Sequence, residues 1–115
     1  GARAYVRALE ETIIRTRGDY GVEGGRREGY PGVWTGGRKI ASIGVAVRGG
    51  VTMHGSALNV NTDLSYFSLI VPCGITDVTV TSMKEILGEE LNVEDVAKSY
   101  AGNFGDVLGA RIDFN

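Results

Sequence analysis

The feature that most constrains this fold is a glycine pair, Gly49-Gly50, set between two strand-like runs, Ile40 to Arg48 and Val51 to Val60. Two glycines between runs rich in small and β-branched residues predict a hairpin, because the primed turns that join antiparallel strands need positive φ. With those glycines as the loop, the register follows by counting outwards. Arg48 faces Val51, Ala46 faces Met53, Gly44 faces Gly55, Ile43 faces Ser56 and Ser42 faces Ala57. Side chains are then tiny or missing on both strands at one level of the ribbon. Such a patch lets a ligand lie directly on backbone, or lets another element of the same protein pack there.

Helices flank this ribbon. Ala2 to Thr16 carries Val6, Leu9, Ile13 and Ile14 on one stripe, with Gly18 as its terminator. Gly21 to Gly32 reads as a glycine-rich loop with Tyr30-Pro31-Gly32 as a turn, and Val33 to Thr35 as a short strand closed by Gly36-Gly37. Asn61 to Leu69 reads as a loop anchored by Tyr66 and Phe67, and Leu69 to Pro72 as an extended run leading to Cys73 and Gly74. Val78 to Thr81 predicts a brief strand. Ser82 and Glu85 have capping-box spacing for a short helix ending at Gly88. A longer helix starts at Asn92, buries Val96, Tyr100 and Phe104, and ends near Gly109; Arg111 to Phe114 predicts a last strand. The order gives an α+β domain, a mixed or antiparallel sheet with helices on one side. The opening helix has no preceding strand to cover and the sheet is small, which points to part of a larger domain.

Composition removes several function classes. A net charge of −2 and only short basic runs speak against nucleic acid. No apolar run approaches the length that crosses a bilayer, and Gly1 to Arg17 lacks the form of a signal peptide. One cysteine among 115 residues makes no internal disulfide, which fits a reducing, cytoplasmic setting. The 18 glycines are dispersed among apolar runs, suiting tight turns and close backbone approach rather than a linker.

The chemistry centres on Cys73. A lone cysteine in an apolar run is commonly a small core residue. Here Pro72 and Gly74 set it at a bend, which displays a side chain as a nucleophile requires. A thiol with an ordinary pKa near 8.5 is mostly protonated at neutral pH and needs a base or cation beside it. His54, the single histidine, is one candidate, although its place beside the glycine patch equally suits a structural role. Lys39, at the mouth of the hairpin, is the other: in a dry cleft an ammonium favours thiolate and a neutral amine can shuttle protons. Strict alternation turns Lys39 away from Ser42, so the strand must bend or begin after it. The residues alone leave both partners open. No phosphate loop and no metal-ligand spacing is present, and the acid pairs Glu10-Glu11, Glu89-Glu90 and Glu94-Asp95 fall on helix surfaces or near helix starts.

Three phrases carry a family resemblance: Gly-Arg-Lys-Ile-Ala-Ser-Ile-Gly (37–44), Met-His-Gly-Ser-Ala-Leu-Asn-Val-Asn (53–61) with Asp63-Leu64, and Val-Pro-Cys-Gly-Ile (71–75). In that order and spacing the chain resembles the lipoyl(octanoyl) transferases, also called lipoate–protein ligase B. Thr79 to Ser82 and the leading Tyr5-Val6-Arg7-Ala8-Leu9-Glu10 helix are similar to that family too.

The resemblance implies a biotin/lipoate protein ligase-like fold, with residues 1–115 as the C-terminal part of the catalytic domain. The family's preceding half, with its Arg-Gly-Gly and His-Gly motifs, has no match here. It implies octanoyl transfer from acyl carrier protein to a lysine of lipoyl domains, in dehydrogenase complexes and the glycine cleavage H protein, with no cofactor. Carried over by motif, Cys73 would be the acyl-thioester nucleophile and Lys39 its proton partner. Ser42, Ile43, Gly44, Gly55, Ser56 and Ala57 would line the acyl pocket. The competing readings are an ATP-dependent lipoate or biotin ligase relative, and a non-catalytic fragment or subunit of a split enzyme.

Overall fold

The computed structural model describes residues 2–44, 48–66 and 79–109. Its centre is a five-stranded antiparallel sheet of β1 (Gly25–Arg27), β2 (Tyr30–Thr35), β3 (Arg38–Ile43), β4 (Val51–Met53) and β5 (Ser56–Leu58), in the order β1-β2-β3-β5-β4. Among the described residues three α-helices accompany it: α1 (Ala2–Asp19), α2 (Met83–Leu87) and α3 (Val93–Leu108). A 3₁₀ turn spans Leu64–Tyr66. The architecture is the expected α+β.

α1 and α3 pack on each other and together on the sheet. Leu9 and Ile13 from α1 and Val96, Tyr100 and Phe104 from α3 form one buried cluster with Val33, Ile40, Leu58, Val60 and Met83. Each such aliphatic side chain taken out of water contributes about 1.5–3 kcal/mol, so this cluster is the main stabilising force. The caps fall where the sequence sets them. Ser82 accepts from the Glu85 N–H, Gly88 ends α2 in the left-handed conformation, and Asn92 accepts from the Asp95 N–H. Gly109 closes α3 in the left-handed conformation too. α1 runs past Gly18 to Asp19. Among the described residues, no helix is long and apolar enough to cross a membrane.

The central ribbon differs from expectation in an instructive way. Ala41 pairs with Leu58, Ser42 with Ala57 and Ile43 with Ser56, and the Gly44 N–H donates to the Gly55 carbonyl at 2.5 Å. Those facings of residues 42, 43 and 44 are the ones counted from sequence. The turn is elsewhere. Residues 51–58 fold back at His54-Gly55, so that Val51 pairs with Leu58 and Met53 with Ser56. Val51 thus takes Leu58 where Arg48 was expected, and the expected facing of Met53 with Ala46 lies outside the described residues, as does Val45. His54 and Gly55 both have positive φ (57° and 85°), as a two-residue primed turn requires. Histidine is among the few side chains enriched there. The physical gain is a second partner for β5: a two-stranded ribbon is marginal, whereas folding back gives β5 neighbours on both edges and buries Val51. Gly49 instead serves close approach, since a Cβ there would stand 3.3 Å from the Asn61 carbonyl oxygen and the Thr62 Cα.

The segment read as a loop over Gly21 to Gly32 contains β1 and the start of β2, with Glu28-Gly29 turning between them. Tyr30-Pro31-Gly32 is strand, not turn. Gly36 and Gly37, both at positive φ, join β2 to β3 as expected. The expected strand over Val78 to Thr81 reduces, in its described part, to a single parallel bridge between Val80 and Lys39. Phe67, the Leu69 to Pro72 run, Cys73, Gly74, Val78 and the Arg111 to Phe114 strand lie outside the described residues.

Two glycine substitutions separate these roles. Gly55→Ala places a side chain at φ 85° and is expected to cost about 1–2 kcal/mol in urea unfolding. Gly18→Ala, within α1 and with open space around it, is expected to stabilise by about 0.5–1 kcal/mol.

Candidate active site

Lys39 lies at the second position of β3, just after the Gly36-Gly37 turn. Val33 pairs with Ala41 while Trp34 pairs with Lys39, so Ile40 is left over as a β-bulge. The strand thus bends at the place where alternation required it to. The Lys39 side chain runs over Gly32 of β2: a Cβ on Gly32 would stand 2.8 Å from the Lys39 Cε and 3.6 Å from its Nζ. Nζ ends 5.9 Å from the centre of the buried Trp34 ring. The same ring takes the Arg27 guanidinium at 5.0 Å and meets Tyr30 edge-on. Among the described residues Lys39 makes no ion pair. Burial holds its pKa below the ordinary lysine value. An amine in that state can accept and return a proton nearer neutral pH than a surface lysine can.

The Lys39 backbone marks where the chain returns to the sheet. Its N–H donates to the Thr79 carbonyl at 2.7 Å, and its carbonyl accepts from the Thr81 N–H at 2.8 Å. β5 occupies that edge of β3 up to Asn59, whose N–H donates to the Ile40 carbonyl; residues 79–81 then take over.

The two small-residue triplets lie farther along the same strands. Ile43 packs against the core, and the Ser56 hydroxyl donates to the Met53 carbonyl at 2.8 Å and meets the Tyr100 hydroxyl. Ser56 is therefore turned toward α3 and engaged there. Burial raises the Tyr100 pKa, against the Ser56 hydrogen bond, which lowers it, while nearby Tyr5 adds to the rise. Ser42 and Ala57, one residue on, take the other face by alternation; Ser42 is half-buried and Ala57 fully buried. Gly44 and Gly55 are exposed, and among the described residues no atom lies within 4 Å of where either Cβ would stand.

His54 is engaged elsewhere. Its ring stacks on Phe104 at 3.8 Å and 5°, and its carbonyl accepts from the Tyr5 hydroxyl at 3.0 Å. It stands at the turn end of β5, next to Gly55 and so level with Gly44, while Lys39 is level with the segment that follows Asn59. About five residues of strand, roughly 16 Å, separate those levels.

Sequence reasoning overlooked the surroundings of Lys39. Glu10, read as a surface acid, is 6% exposed; its carboxylate accepts from the Gly32 N–H at 2.9 Å and pairs with Arg26 at 3.2 Å. The signal available was a glycine within a strand-like run, a mark of close backbone approach. A cavity of about 550 Å³ also opens beside Trp34, walled by Gly24-Gly25, Gly36-Gly37 and Arg27. Among the described residues no group of His, Cys, Asp or Glu side chains could hold a metal ion.

The family model described as the lipoyl protein ligase A/B catalytic domain matches residues 1–105. An octanoyltransferase of Caldanaerobacter subterraneus subsp. tengcongensis is 50% identical over 109 residues, covering 95% of this chain and 47% of its own length. An octanoyltransferase of Solibacter usitatus is 54% identical over 105 residues, covering 91% of this chain and 47% of its own length. The chain thus spans about half the length of the curated relatives it matches. In fold it is similar to lipoate-protein ligase A crystallised with ATP, at a TM-score of 0.70 and 18% identity, over 98% of this chain and 49% of the other.

Burying an ammonium without a counter-ion opposes folding. Lys39→Met is accordingly expected to leave Tm unchanged or raised. A fall of several degrees would mean that the contact with the Trp34 ring outweighs the burial.

Proposed function

We propose that this chain, which belongs to the lipoyl protein ligase A/B catalytic domain family, is the cysteine-bearing C-terminal part of an octanoyltransferase. Octanoyl groups held as thioesters on acyl carrier protein are the donors. Lysines of lipoyl domains, including those of dehydrogenase complexes and the glycine cleavage H protein, are the acceptors. The setting is cytoplasmic, where a free thiol persists.

One observation carries the reading. Lys39 is half-buried, has its pKa lowered, and is hydrogen-bonded through its backbone to Thr79, six residues along the chain from Cys73. Six residues reach at most about 20 Å, a span that allows the thiol to meet Lys39. Identity near 50% to octanoyltransferases favours thioester transfer over ATP-dependent ligation, because the likeness to the ATP-bound ligase is one of fold, at 18% identity.

The chemistry then runs in two steps. Lys39, as the neutral amine, takes the Cys73 proton, and the thiolate attacks the donor carbonyl. Backbone N–H groups near the site stabilise the oxyanion. As the carbon–sulfur bond to the carrier breaks, Lys39 returns the proton to the departing thiol. The acceptor lysine next attacks the acyl-enzyme, Lys39 relieves it of a proton, and Cys73 leaves as the thiol. The acyl chain lies along Ser42, Ile43 and Gly44 and along Gly55, Ser56 and Ala57, where Gly44 and Gly55 leave backbone bare. A thioester arrives activated, so neither nucleotide nor metal has a part.

Intact-mass analysis after incubation with octanoyl-acyl carrier protein, with the family's N-terminal half supplied, tests this. A hydroxylamine-sensitive octanoyl adduct that Cys73→Ala lacks is the expected result. Acceptor octanoylation that proceeds unchanged in Cys73→Ala would contradict it.

A further inference from the structure

We propose that Glu10 and Gly32 are positioning residues for Lys39: the Glu10 carboxylate fixes the Gly32 backbone, and the bare α-carbon of Gly32 is the track along which Lys39 reaches the Trp34 ring. The catalytic use of Lys39 rests on the function proposed above; its positioning does not.

The geometry is specific. Gly32 lies where the β1–β2 register shifts, between the pairs Gly25–Trp34 and Arg27–Tyr30. Its N–H donates instead to Glu10 Oε2 at 2.9 Å. Glu10 is buried beneath the sheet on α1, and its other oxygen is held by Arg26 at 3.2 Å. Gly32 adopts φ 129°, which side-chain-bearing residues rarely take. A Cβ there would meet both the Ala41 carbonyl oxygen at 2.7 Å and the Lys39 Cε at 2.8 Å. The strand therefore has no width to spare, and a lysine crosses it only because position 32 is glycine.

The charges around the amine are consistent with this. Arg27 shares the Trp34 ring, and Arg38, the preceding residue, is 3.5 Å from Glu85. Glu10 and Glu11 are both engaged by Arg26. Among the described residues each neighbouring carboxylate has its own cation, so Lys39 is left without one, and burial keeps its pKa below the ordinary value.

The test reads Lys39 itself in the intact protein. Competitive acetylation across a pH series, quantified on the Lys39 peptide with exposed Lys98 as internal control, reports its titration. Gly32→Ala and Glu10→Ala are expected to move that curve up toward an ordinary lysine while leaving Lys98 alone. Octanoylation of the enzyme should slow at least tenfold, within the roughly 100-fold that a 1 Å misplacement can cost. Glu10→Gln, which keeps an oxygen for the Gly32 N–H, should keep the wild-type Lys39 curve. It stands against Glu10→Ala even if Gly32→Ala does not fold. Unchanged Lys39 curves in both alanine variants would overturn the proposal, as would a Glu10→Gln curve shifted as far as that of Glu10→Ala. A moved curve with undiminished octanoylation would uphold the positioning and remove Lys39 from the chemistry.

Discussion

Asn59 is the pin on which this arrangement depends. Its N–H donates to the Ile40 carbonyl of β3, its side-chain amide to the Thr81 carbonyl at 3.0 Å, and its own carbonyl accepts from the Met83 N–H. One buried residue thus ties the end of β5, the middle of β3, the returning chain and the start of α2. Left unmade inside the protein, each of those backbone groups would cost about 1–3 kcal/mol. With them made, residues 79–81 are laid against Lys39 with little freedom. The edge of β3 is shared by two segments in succession, and the lysine lies where one hands over to the other.

This explains how a small, glycine-rich domain can hold a lysine in partly apolar surroundings. The helices bury one side of the sheet, and Glu10 extends from α1 to fix Gly32. The bulge at Ile40 turns Lys39 out of simple alternation. Each contribution is local, and together they exchange the solvation of an ammonium for an aromatic face. A charge so placed, with no ion-pair partner among the described residues, weakens a fold, which favours reading Lys39 as a functional rather than a stabilising residue.

Much of the scaffold was legible because its signals are local. The caps at Ser82, Asn92, Gly88 and Gly109 and the stripe Val96, Tyr100, Phe104 depend on spacing within one or two turns of helix. The pairing of Ser42 with Ala57 and Ile43 with Ser56 was also legible, although the turn assigned to it was not. Gly49-Gly50 and His54-Gly55 both satisfy a primed turn, and only the gain of another strand in the sheet decides between them. β1 was missed because three residues, Gly25, Arg26 and Arg27, show no alternation that would mark a strand. Glu10 was misread because its burial is set by Gly32 and Arg26, distant in sequence. The resemblance to the octanoyltransferases named Lys39; the structure adds what surrounds it.

If Lys39 acts on the Cys73 thiol, as proposed, the thiol reports it directly. The measurement is the rate of Cys73 alkylation by iodoacetamide from acid to alkaline pH, in the intact wild-type protein and in Lys39→Met. The expected result is a wild-type midpoint below the ordinary thiol value of about 8.5, returning toward that value in the variant. Superimposable curves would contradict it and leave Lys39 a buried lysine without a partner in the reaction.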